Sequence, residues 1–96
     1  MERRKSEKMS DALMRFMRLS GLETPLNEYR LLEAWAEVAG PMAAKYSEAR
    51  FIRNQTLHVH VSSAALRTEL VMRRTQLVQQ LNQAVGAQVI ADVVFQ

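Results

Sequence analysis

The stretch "TLHVHVSSAALRTELVMRR", residues 56–74, changes its hydrophobic period in the middle. Leu57, Val59 and Val61 alternate with His58, His60 and Ser62, which is the two-residue repeat of a half-buried strand. From Ser63 onward the apolar residues fall at helical spacing, and Ser62 or Ser63 supplies the side-chain oxygen that caps a helix start. A strand with one apolar face cannot bury that face alone. It calls for a partner strand and for a covering layer, and the following helix is the nearest candidate for the cover.

Working outward, the pattern predicts one uninterrupted helix from about Ala64 to Val85, with Leu66, Leu70, Leu77, Leu81 and Ala84 or Val85 facing inward. Arg73 and Arg74 interrupt that stripe, so at least one of them belongs near its edge. Gly86 ends the helix, and "QVIADVVFQ" reads as a last strand, apolar on both faces in its middle. Upstream, "SEARFIRN" reads as a strand with Ala49 and Phe51 on one face and Arg50 and Ile52 on the other. "RNQT" is a tight turn in which Asn54 tolerates positive φ. Before it lie a helix from about Glu7 to Leu19, ended at Gly21, and a second, "PLNEYRLLEAWAEVA". This second helix has Thr24 as its N-cap, Pro25 at its first position and Gly40 as its stop. Its predicted apolar face is Leu26, Tyr29, Leu32, Trp35 and Val38 or Ala39, and "PMAAKY" opens one further helical turn.

The predicted order is ααββαβ, an α+β two-layer sandwich in which helices cover one face of a three-stranded sheet. A right-handed crossover makes the last strand parallel in direction to the second. Whether it pairs with that strand or lies beside the first is open. With 96 residues, 48% of them hydrophobic, and only three Gly and two Pro, the chain is read as a flexible tail over 1–8 and a single domain over 9–96. No apolar run approaches the length that spans a bilayer, the N-terminal "MERRKSEK" precedes no apolar signal region, and there is no Cys. The expectation is a cytoplasmic protein without a membrane contact.

The net charge of +3 is unevenly distributed. Residues 1–48 carry eight Lys/Arg against eight Asp/Glu, while residues 49–96 carry five Arg against Glu69 and Asp92. The excess is therefore Arg50, Arg53, Arg67, Arg73 and Arg74. Arg suits bidentate phosphate contacts and stacking on bases. Two accounts fit: an anionic partner, or a solvated face that keeps the domain in solution.

Catalytic chemistry finds little support. His58 and His60 point to one sheet face, but no third ligand is near in sequence, so no metal site is expected. No Ser–His–Asp ordering stands out, and "GPMAAK" lacks the length and second glycine of a P-loop. The chain is read as no enzyme, with no cofactor and no small-molecule substrate. The Met residues at helical spacing read as core filling.

One ordered set of residues resembles a known family. Trp35 and Gly40 fit W-x-x-x-x-G; Leu57, Val59, Val61, Ser63, Ala65, Glu69 and Leu70 fit L-x-V-x-V-x-S-x-A-x-x-x-E-L; Leu81, Asn82 and Gly86 fit L-N-x-x-x-G, followed by a closing strand over Val89 to Phe95. This set, over about residues 10–96, resembles the DciA family of bacterial proteins. The resemblance implies a loader or operator of the replicative helicase DnaB that binds DNA and has a fold related to type II KH domains. The G-x-x-G loop with which KH domains clamp a nucleic-acid backbone is absent here. DNA binding, single- or double-stranded, is then expected to be weak and sequence-independent, on Arg50, Arg53, Arg67, Arg73 and Arg74, with Arg3, Arg4 and Lys5. The long basic extension of many members is almost missing from the sequence, and Asn54 and Gln55 replace the glycine often found in the hairpin turn. For helicase contact the candidates are Leu13, Phe16 and Met17 on the first helix and Trp35, although a Trp on the apolar stripe of an amphipathic helix is more often a core residue. The competing readings are a KH-like RNA or ribosome binder and a protein-interaction module without nucleic-acid binding.

Overall fold

The computed structural model of the chain describes residues 9–19, 21 and 23–96. The elements are α1 (Met9–Leu19), α2 (Glu23–Ala39), α3 (Pro41–Lys45), β1 (Ser47–Arg53), β2 (Thr56–Val61), α4 (Ala64–Met72), α5 (Arg74–Val85) and β3 (Asp92–Phe95). The tail over 1–8 and the part of the first helix before Met9 lie outside the described residues.

The period switch in the sequence is a boundary in the structure. β2 ends at Val61, and the Ser63 side chain accepts the Leu66 N–H at 3.2 Å, which satisfies one of the orphan donors of α4. The sheet order is β1-β2-β3. β1 pairs antiparallel with β2, and β3 pairs parallel with β2, so the open question of strand order resolves in favour of the second strand. Leu57, Val59 and Val61 are all essentially inaccessible and meet Leu31 and Trp35 from α2, Leu66 and Leu70 from α4, and Leu77, Leu81 and Val85 from α5. This is the small two-layer α+β arrangement expected from the pattern.

Four details differ from the sequence expectations. The long helix is not continuous: it breaks at Arg73, whose N–H turns to the Leu70 carbonyl at 3.0 Å, a tighter bond than the α-helical one. A straight helix over Ala64–Val85 would be about 33 Å long, whereas β2 beneath it spans only about 20 Å. The break lets α4 lie on β2 and β3 while α5 turns to pack on α2 and β3. α2 begins at Glu23, so Thr24 is inside the first turn and not its cap; Pro25 is harmless there because that turn's N–H groups have no helical acceptor. Its buried row is Asn27, Leu31, Trp35 and Ala39, an i, i+4 row whose polar first member disguised it, while Tyr29 is exposed. β3 is shorter than the apolar run that predicted it.

The residues ahead of β3 are held by a side chain. Asn82 on α5 donates Nδ2–H to the Ile90 carbonyl at 2.9 Å, and its Oδ1 accepts the N–H of Val89 at 2.9 Å and of Ile90 at 3.1 Å. Gly86 ends α5 in the left-handed conformation (φ 85°), and the loop then folds back on the helix that precedes it. Asn82→Ala would leave the Val89 and Ile90 amides without their acceptor, the Ile90 carbonyl keeping its bond from Gln88 Nε2 at 3.0 Å, and is expected to cost about 2–4 kcal/mol in urea unfolding. At the hairpin, Asn54 (φ 52°) and Gln55 (φ 60°) both take positive φ, the two-residue turn that normally recruits glycine second. Gln55→Gly is expected to raise stability by about 1 kcal/mol in the same assay, since Gln is strained in that region.

Candidate functional site

A further difference creates the site. Ala49 and Phe51 were expected on one face of β1, but the register shifts between them: Ala49 faces Val59, Phe51 faces His58 and Ile52 faces Leu57. Arg50 is the extra residue of a β-bulge. Ala49 and Ile52 therefore pack on the core, and Phe51 is turned to the face of the sheet that the helices leave open.

That face has three rows. Glu48 and His60 are paired at one end, Phe51, His58 and Val94 share the middle row, and Arg53, Thr56 and Asp92 share the row beside the hairpin turn. In the middle row the Phe51 and His58 rings stack with centroids 4.4 Å apart and 14° between their planes. The Arg53 guanidinium lies over the Phe51 ring, 5.1 Å from its centroid. Arg50 leans back to Glu48 at 3.5 Å, and Arg74 meets Asp92 at 3.2 Å, both pairs being about half exposed or more. Such pairs carry little energy and exchange easily with other ions.

The five Arg do not form one patch. Arg74 reaches the Asp92 end of the sheet, and Arg53 sits in the same row, so these two and Arg73, next to Arg74 in the chain, gather near the hairpin end. Arg67 belongs to the other end of β2. Its Nη2 donates to the Val61 carbonyl at 3.0 Å, and its Nε is buried without a partner. From Thr56 to Val61 the strand rises about 17 Å, which separates Arg67 from the rest. Arg3, Arg4 and Lys5 lie outside the described residues.

Trp35 is 3% exposed; its Nε1–H donates to Ser47 Oγ at 2.9 Å and its ring is tilted against Phe95. The structure makes it a core residue and leaves no indole surface for a partner. Phe16 is the opposite case at 61% exposed, with Leu13 and Leu19 also open to solvent on α1, which packs chiefly on α2. Nothing is described of the Met17 side chain. Between α1, α2 and the end of α5 lies an open cavity of about 350 Å³, walled by Asp11, Arg15, Glu23, Asn27 and Arg30. Its mixed charges include no nucleophile paired with a base. Among the described residues no cluster of three metal-ligating side chains occurs, and no helix is long and apolar enough to cross a membrane.

The Phe51–His58 stack was hidden from sequence reasoning because strict alternation puts Phe51 inside. The available signal was the run Arg50–Phe51–Ile52, where alternation would put Ile52 on the solvent face.

The sequence model of the family described as "Dna[CI] antecedent, DciA" matches residues 8–95. No curated protein matches the chain.

The two kinds of Arg should separate in stability measurements. Arg67→Ala is expected to lose about 1–2 kcal/mol in urea unfolding, because the Val61 carbonyl loses its donor. Arg53→Ala should change stability by less than about 1 kcal/mol, the value of an exposed cation–π contact.

Proposed function

Since the chain belongs to the DciA family, whose role is in loading the DnaB helicase for replication, we propose that it is a non-enzymatic accessory protein that binds DNA and docks on that helicase. The family is one of helicase-loading factors and not of catalysts. The observation that carries the two-surface reading is the separation of two unlike exposed regions. The Arg50, Arg53 and Arg74 side chains belong to the open sheet face and hairpin end, while the exposed apolar side chains of α1 stand on a helix that packs on α2.

DNA binding is assigned to Arg50, Arg53, Arg73 and Arg74, with Arg3, Arg4 and Lys5 adding charge from the N-terminal segment. No backbone clamp supports it, because the turn at Arg73 contains no glycine. Affinity then rests on side-chain contacts to phosphate, which are sequence-independent and release counterions. A protein acting this way works where the chromosome is, in the cytoplasm. Helicase contact is assigned to α1 through Leu13 and Phe16, with Met17 on the same helix; an amphipathic helix with its apolar side chains exposed suits a groove in a partner.

Two experiments test this. With four Arg–phosphate contacts, binding of a labelled single strand should follow a log–log salt slope of about −3, a loss of roughly fifty-fold between 50 and 200 mM salt. Fluorescence anisotropy measures it, and salt-insensitive binding sinks the Arg assignment. Phe16→Asp should weaken helicase capture in a pulldown while leaving the circular dichroism spectrum and melting temperature nearly unchanged, as befits an exposed side chain. Undiminished capture would place the helicase surface elsewhere.

A further inference from the structure

We propose that the helix-free face of the sheet is a base-stacking platform for single-stranded DNA, with the Phe51 ring receiving a base and Arg50 and Arg53 taking the phosphates beside it. This rests on the DNA-binding reading above and adds to it a site and a strand preference.

The platform is built, and its parts have one direction. The bulge at Arg50 turns Phe51 out of the core, leaving it 39% exposed in the middle of the open face. A large aromatic ring placed there gains little from burial. Its orientation is nonetheless fixed: His58 stacks on one of its faces at 4.4 Å and 14°. Val94 continues the same row on β3. A ring held in place by its neighbour loses little freedom when a base stacks on it, which favours binding.

The Arg53 guanidinium, itself exposed, lies over the Phe51 ring at 5.1 Å from its centroid. Arg53 projects from the same face about 7 Å along the strand. When its guanidinium swings to a phosphate, the ring face it covered becomes free for a base. That exchange is favourable, because an exposed cation–π contact is weaker than base–aromatic stacking, and the Arg gains a charge-assisted bond as well. Arg50 is similarly available: its partner Glu48 is 3.5 Å away with both side chains more than half exposed, so a phosphate replaces the carboxylate at little cost. Asp92, the other carboxylate of this face, is already neutralised by Arg74.

The same charges argue against a second copy of the chain as the occupant. A two-fold contact centred on Phe51 would bring Arg50 and Arg53 of one molecule close to those of the other. The exposed Phe51 ring argues for strand over duplex, since bases in a duplex are already stacked and present only their edges.

The test is fluorescence anisotropy at fixed salt with three labelled probes: an oligothymidine strand, an abasic strand of equal length, and a duplex. Phe51→Ala should weaken oligothymidine binding about ten-fold with an unchanged salt slope, while Phe51→Tyr stays within about two-fold of the parent. The parent protein should bind the abasic strand as weakly as Phe51→Ala binds oligothymidine. Circular dichroism of both variants establishes that they are folded; if Phe51→Ala is not, the abasic comparison on the parent protein decides alone. Equal binding of abasic and base-bearing strands overturns the platform and leaves phosphate binding by Arg intact. No binding of any probe overturns the DNA-binding reading and the platform with it. A dimer in sedimentation that Phe51→Ala dissolves assigns the face to a second copy and overturns the proposal.

Discussion

The extra residue at Arg50 decides what each face of β1 presents. Side chains in a strand alternate strictly, so a single inserted residue exchanges the faces of everything beyond it. Up to Ala49 the core side of β1 is set by the pairing with Val59; beyond the bulge it is Ile52, opposite Leu57, that continues the core. Without the insertion, Phe51 would face Leu31 and Trp35, two side chains already packed to near-zero exposure, and Ile52 would stand in solvent. The bulge thus gives the core Ile52 and the open face its aromatic ring through one backbone irregularity.

The parts legible in the sequence were those where one local signal and the global arrangement agree. The switch from period two to helical period at Ser62–Ser63 marked the end of β2 and the cap of α4, because the alternating valines and the capping serine point the same way. The inner leucines of the two following helices were legible for the same reason. The break at Arg73 was not. Leu70 and Leu77 remain buried on either side of it, so the apolar stripe runs through the break unchanged, and the turn contains no Gly or Pro to announce it. Its cause is a length mismatch between helix and sheet that exists only in three dimensions.

The site was less legible than the fold, and its residues show why. Phe16 and Trp35 both sit on amphipathic helices at positions that helical spacing makes apolar. One is 61% exposed and the other 3%. The difference is in what lies opposite. Trp35 faces β1, where Ser47 Oγ accepts its indole N–H, and its ring meets Phe95, whereas α1 leans chiefly on α2. Periodicity reports that a helix has an apolar face; the number of layers available to cover it is a property of the whole chain.

Net charge behaves in the same way. The five Arg of the second half look equivalent when counted, yet four of them differ in how they are held. Arg67 is tied to a strand-end carbonyl with part of its guanidinium buried, so moving it to a phosphate would reopen the Val61 carbonyl. Arg50 and Arg74 are held by exposed carboxylates that any phosphate can replace. Arg53 rests on an aromatic ring, a restraint of the same small order. A cation's readiness to meet an anionic ligand falls as its present contacts become harder to replace. On that ordering the sheet face beside the hairpin, and not the helix start at Arg67, is where positive charge in this chain is free to act.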